Sequence, residues 1–234
     1  MLFRQLFDSE SSTYTYLIAD NNTKEAVIID SVLEQFERDI NLLKELELNL
    51  IYSLDTHIHA DHITGAGKLR QATGCLSILP KNSQVKCADS YIQHGQVLQI
   101  GSVTIEGIST PGHTNSHMAY LLNNTHLLTG DALFIRGCGR TDFQGGDAGT
   151  LYDCVTQRLF TLPDETLVYP GHDYKGRTVS TIAEEKRLNP RFAGKTRDDF
   201  IQLMNNLNLP QPKKIKLAVP ANQNCGVRTA NSEQ

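Results

Sequence analysis

The sequence predicts an α/β protein, a four-layer sandwich in which two sheets are covered by helices. Three observations predict it. Strand-like and helical signals alternate through the first hundred residues, hairpin signals crowd the centre, and a helix, strand, helix run returns after residue 150. One larger mixed sheet fits the same order of elements.

Taken in order, residues 13–19 and 26–29 are β-branched and aromatic runs around the turn formers Asp20, Asn21 and Asn22, a hairpin pattern. Over 33–48 the apolar residues Leu33, Phe36, Ile40, Leu43, Leu46 and Leu48 recur at helical spacing, and a short buried strand follows over 50–54. A crossover helix of this kind puts the next strand inside a sheet and leaves ligands to bind beyond its carboxyl end. The next helix is expected from His62 to Leu69 or Gln71, ended by Gly74, before a strand over 75–79 that Pro80 stops. Residues 96–100 and 102–108 alternate around Gly101, and 118–122 and 126–128 flank Asn123 and Asn124, giving two hairpins. Helices are expected over 150–160, 178–188 and 198–206, with a strand over 166–169 and Asn189-Pro190 stopping the second helix. No linker divides the chain, so residues 1–234 read as one domain.

Composition narrows the function. A net charge of −4 and the absence of Trp give neither a field nor a stacking platform for nucleic acid. The longest apolar stretches are too short to cross a bilayer, which argues against a membrane protein. Asp8 and Glu10 lie where a signal peptide would be apolar, which suits a cytoplasmic enzyme or a processed organellar one, and because Met1 stands only a few residues before the fold begins a cytoplasmic enzyme is expected. Five cysteines with no C-x-x-C pair write neither a disulfide scaffold nor a zinc ribbon and suit a reducing compartment. Cys75 and Cys154 fall in core patterns, whereas Cys87 and Cys225 carry no signal.

The eight histidines are informative by position rather than by number. Thr56-His-Ile-His-Ala-Asp-His62 sets His57, His59, Asp61 and His62 in a loop after a strand, with His62 opening the next helix. Two imidazoles and a carboxylate at alternate positions can face one side of an extended loop, as metal ligands do. Pro111-Gly-His-Thr-Asn-Ser-His117, Thr129-Gly-Asp131 and Pro170-Gly-His172 each add a ligand type just after a predicted strand. Four segments are thereby expected at one end of the strands.

Those segments resemble the metallo-β-lactamase superfamily, whose signature T-H-x-H-x-D-H is followed by separate His, Asp and His ligands. The resemblance implies an αββα sandwich. It allows two adjacent metal sites, His57, His59 and His113 matching one, Asp61, His62 and His172 the other, and Asp131 shared. A zinc-dependent hydroxyacylglutathione thiolester hydrolase of the glyoxalase II type is one activity so implied, because paired metals suit hydrolysis.

The stretch from Asp131 to Gln144, with its R-G-C-G-R-T-D-F-Q string, resembles the persulfide dioxygenases, as do Leu188-Asn-Pro-Arg191, Asn205-Asn-Leu-Asn-Leu-Pro210 and Ala218-Val-Pro-Ala-Asn222. The last three form a family-specific tail over about 188–226. This resemblance implies one Fe(II) per subunit, held by the residues matching His57, His113 and Asp131, with His59, Asp61, His62 and His172 as polar neighbours that do not ligate. Two imidazoles and one carboxylate make the facial arrangement of non-haem Fe(II) oxygenases, which leaves positions for substrate and dioxygen. The implied reaction converts glutathione persulfide, O2 and water to glutathione and sulfite. Arg140 and Tyr174 match residues lining the family's substrate pocket, and a guanidinium suits the carboxylates of glutathione. Cys138, between two glycines, fits a pocket-lining or redox-sensitive role better than a catalytic one. His117 stands where the family often has Cys, and a hydrogen bond to the ligand set is its expected role. Asp30-Ser31 lacks the family's usual proline. Relatives are often dimeric, so the resemblance allows a homodimer.

Overall fold

The computed structural model describes residues 1–227. They form two compact units, one comprising Met1–Ile92, Gln99–Val103 and the described residues from Pro210 on, the other Gln93–Leu98 and Thr104–Leu209.

The first unit is built on a six-stranded sheet in sequential order: β1 (Leu2–Asp8), β2 (Thr13–Ala19), β3 (Glu25–Ile29), β4 (Asn49–Leu54), β5 (Leu76–Pro80) and β6 (Ser90–Ile92). β1, β2 and β3 pair antiparallel, and β3 to β6 pair parallel. The parallel pairs require crossovers: α1 (Phe36–Glu45) joins β3 to β4, α2 (Ala66–Thr73) joins β4 to β5, and a connection that begins with a 3-10 turn over Lys81–Ser83 joins β5 to β6. α1 buries Phe36, Ile40 and Leu43 in a cluster with Leu17, Ala19 and Ile28 of the sheet. At about 25 cal/mol per Å2 of apolar surface, each such side chain contributes roughly 1.5–3 kcal/mol. β1 and β6, short or mixed in pattern, were not expected from the sequence.

The second sheet runs in the order β7 (Val97–Ile100), β8 (Val103–Ser109), β9 (Met118–Leu122), β10 (His126–Gly130), β11 (Leu167–Pro170) and β12 (Ser180–Thr181). β10 and β11 are parallel, joined by the crossover α3 (Ala148–Cys154) and a π-turn over Val155–Leu159. α4 (Ile182–Leu188) and α5 (Arg197–Asn205) follow. Leu151, Val155, Leu159, Ile182 and Phe200 share a buried cluster with Leu121, Leu127 and Val168. The expected helix over 178–188 begins only at Ile182. Ser180 and Thr181 instead pair with Val168 and Leu167, and the Thr181 hydroxyl accepts the Glu184 N–H at 3.1 Å, a cap that fixes the start of α4.

Two corrections concern the first unit. The helix expected from His62 starts at Ala66, because the backbone before it is committed elsewhere: Leu33 N donates to Ile63 O at 2.8 Å, and Thr64 N donates to the Asn222 side chain at 2.9 Å. Further, the tail contains an unexpected helix, α6 (Ile215–Asn222), which carries Pro220 and packs Ala218 and Ala221 on Ile63. α6 brings Cys225 to Cys87, and the two form a disulfide with Cα atoms 6.0 Å apart, so these residues are not unpaired thiols. Among the described residues, no helix is long and apolar enough to cross a membrane.

Candidate metal centre

The histidine loop of the first unit hangs from the carboxyl ends of two parallel strands. Register sets Ile29 beside Leu54, so Asp30 meets the loop that leaves β4. Asp30 takes the Thr56 backbone N–H on Oδ1 at 2.7 Å and the Thr56 hydroxyl on Oδ2 at 2.9 Å. With its proton directed to Asp30, the Thr56 oxygen accepts from His57 Nδ1 at 2.9 Å. His57 therefore carries its proton on Nδ1 and its lone pair on Nε2, the form that binds a metal.

His59 lies between two buried carboxylates. Its Nε2 is 3.1 Å from Asp30 Oδ1 and 3.9 Å from Asp55 Oδ1. Burial alone would favour the neutral ring, but Asp30, Asp55 and Asp61 outweigh it and hold the imidazole pKa up at about 10. Burial pushes Asp55 up to about 7, whereas Asp30, also buried, is drawn down by His59 and Thr56. Asp61 and His62 pair with each other at 2.9 Å, and Thr13 donates to Asp61 at 3.2 Å. The rings of His57, His59 and His62 follow one another at centroid spacings of 4.2 Å. Asn222 of α6 fixes this loop from outside: its Nδ2 donates to the carbonyls of His59 and His62, each at 2.9 Å, while its Oδ1 accepts the Thr64 N–H.

In the second unit, His113, His117, Asp131 and His172 gather at the ends of β8, β10 and β11. His113 Nδ1 donates to the carbonyl of Arg140 at 2.7 Å, which puts the lone pair of the neutral ring on Nε2. That nitrogen faces Asp131 Oδ2 across 3.5 Å, and His172 Nε2 stands 3.4 Å from Asp131 Oδ1. Asp131 Oδ1 is buried without a hydrogen-bond partner. Two acceptors face to face and an orphaned carboxylate oxygen are unfavourable unless a cation joins them, so this donor set fits a metal. The surroundings leave no room for other side chains: a Cβ on Gly171 would lie 2.7 Å from Asp131 Oδ1, and one on Gly139 would lie 2.5 Å from Asp131 O.

The string from Arg136 to Asp142 packs against these candidate donors. Arg136, at φ 64°, pairs through its guanidinium with Glu184 and Glu185 of α4, and its N–H donates to Glu185 at 2.9 Å. Gly139 N donates to Asp131 O at 2.8 Å. Cys138 points the other way, into the apolar cluster beside Met204, and burial pushes its thiol up to about 12, which makes it inert. Arg140 forms a bidentate pair with Asp142 at 2.7 Å and lies over the Phe143 ring. Tyr174 is 71% exposed and stacks parallel to His172 with ring centroids 6.1 Å apart. His117 is buried between Thr110 and the Asp131 backbone.

Sequence reasoning gives no site role to Asp30, Asp55 or Asn222, though Asn222 ends one of the family-like strings. Asp30 was noted only for the missing proline beside it. Its signal is positional, because an acid ending one parallel strand sits next to the loop leaving its neighbour. Asn222 carries no local signal, since the contact joins residues about 160 positions apart in sequence.

Residues 9–172 match the metallo-β-lactamase superfamily. The chain is 50% identical to the mitochondrial persulfide dioxygenase ETHE1 of Mus musculus, over 99% of this chain and 91% of that protein. It is equally similar to the Homo sapiens protein of the same name, over 98% and 90%. Among solved structures, ETHE1 from Myxococcus xanthus is 57% identical and superposes with a TM-score of 0.94, covering 97% of this chain and all of the other.

Proposed function

The chain belongs to the metallo-β-lactamase superfamily, with its α/β fold, and within it to the persulfide dioxygenases; on this premise we propose that it oxidises glutathione persulfide at one Fe(II) bound by His57, His113 and Asp131. The net reaction joins persulfide, O2 and water to give glutathione and sulfite. What carries the reading is the pair of acceptors in the second unit, the His113 Nε2 lone pair and the Asp131 carboxylate, 3.5 Å apart and suited to a shared cation. The two-histidine, one-carboxylate donor set favours iron over the zinc pair of the hydrolases.

An iron held there would supply open coordination positions for a persulfide sulfur and for dioxygen. The protein's own groups do the rest. Asp30 through Thr56, and the Arg140 carbonyl, fix the tautomers of His57 and His113, so that both present Nε2 without reorganising. His172, against Asp131 Oδ1, is placed to hold or pass a proton on its Nε2. Arg140 is the group assigned to a glutathione carboxylate, which it engages by sharing or exchanging Asp142, and Tyr174 offers an exposed phenol beside His172.

Persulfide-dependent oxygen uptake measured together with metal content tests this. Iron with uptake is expected, and His57→Ala loses both. Iron-free protein with full uptake, or two zincs with thiolester cleavage, overturns the reading. Arg140→Ala should keep its iron and raise KM for glutathione persulfide by about tenfold, the scale of one charge-assisted hydrogen bond. An unchanged KM removes Arg140 from the substrate site.

A further inference from the structure

If Asp131 binds the metal, what fixes Asp131 matters, and the residue that does so is one the reaction itself does not use. His117 is fully buried. The Asp131 backbone N–H donates to His117 Nε2 at 2.9 Å, so this nitrogen is the acceptor and the ring proton lies on Nδ1. Nδ1 is 2.8 Å from the Thr110 hydroxyl. Thr110 N in turn donates to His117 O at 2.9 Å, closing the 110–117 loop whose middle carries His113. The His117 ring meets His113 edge-on at 6.0 Å. One imidazole thus ties the loop bearing one ligand to the backbone of the other. On its far side Asp131 is held by the N–H of Gly139, so its peptide is gripped at both ends.

We propose that His117 is a positioning residue, setting Asp131 against His113 so that the two donors present one metal-binding geometry. This rests on the assignment of Asp131 as an iron ligand. The role needs an acceptor that reaches the Asp131 N–H, and that requirement makes it testable by side-chain length. In His117→Gln the amide oxygen reaches the place of Nε2. In His117→Asn the side chain stops at the level of Nδ1 and keeps only a partner for Thr110. His117→Leu fills the space with no acceptor at all.

The three variants and the parent are compared by iron stoichiometry, by the electron paramagnetic resonance spectrum of the nitric oxide adduct, and by kcat and KM for glutathione persulfide. The Gln variant should keep the parent spectrum and occupancy. The Asn and Leu variants should show a shifted spectrum or lowered occupancy, with kcat down by at least about tenfold and KM little changed. Should Leu fail to fold, the comparison of Gln with Asn decides. A parent that takes up neither iron nor oxygen overturns the Asp131 assignment itself. A normal parent with Gln and Asn alike in spectrum, occupancy and kcat overturns only the role of His117.

Discussion

Asp39 shows how one buried charge is tolerated at a cost. It lies on α1, 1% exposed, with Oδ1 paired to Arg38 at 2.9 Å and Oδ2 buried without a partner. Burial lifts its pKa to about 6 against the pull of Arg38. A carboxyl that binds its proton more tightly in the folded state stabilises folding most when protonated. Stability from this group is therefore greatest below about pH 4 and is lost as pH rises through 6, a difference on the order of 3 kcal/mol. Asp39→Asn removes the ionisation, so the variant should gain on the parent at about pH 8 and lose that advantage near pH 4. Denaturant unfolding at the two pH values checks this, and a pH-independent difference contradicts it. At the candidate site two histidines are fixed by hydrogen bonds at Nδ1, His57 by Thr56 and His113 by the Arg140 carbonyl.

At the scale of elements, the histidine loop is irregular backbone, and its carbonyls need partners from elsewhere. α6 provides them through one side chain. Asn222→Ala would strand the Thr64 N–H and the carbonyls of His59 and His62, each unsatisfied group costing about 1–3 kcal/mol. The variant should unfold at lower denaturant and bind the proposed metal less fully, and retention of both stability and metal would mean that the loop holds itself. This dependence also explains what the sequence could and could not reveal. β2 to β5, β7 to β11 and the crossover helices α1, α2 and α3 were legible because period and turn residues encode them locally. So were the ligand-type residues, by spacing and by resemblance. α6 was not legible: Pro220 argues against a helix, and what holds it is distant in sequence, the packing of Ala218 and Ala221 on Ile63 and the hydrogen bonds of Asn222. The R-G-C-G-R string was legible as a family mark, yet its arginine 136 and its cysteine serve the scaffold, through Glu184, Glu185 and Met204.

At the scale of the whole chain, the tail is also held by one covalent link. Cys87 and Cys225 are 138 positions apart, and the segment between them contains all of the second unit. Cys225 lies among Leu79 and Val85, and its carbonyl accepts the Gly67 N–H of α2 at 3.0 Å. The bond thus anchors the end of α6 next to the loop that Asn222 supports. Closing so long a loop restricts the unfolded chain, a contribution on the order of 5 kcal/mol in the chain-entropy account. Reduction, or the double substitution Cys87→Ser and Cys225→Ser, should therefore lower the unfolding midpoint substantially. Cys75, Cys138 and Cys154 stay buried as thiols, so the oxidised protein should give three free thiols on denaturation without reductant, and five with it. Because the link lies beside the loop that carries His57, the reduced protein should also exchange the amide protons of Thr64 and Gly67 faster than the oxidised one. Equal midpoints and equal exchange in the two redox forms would show that packing of α6 on Ile63, not the disulfide, secures the tail.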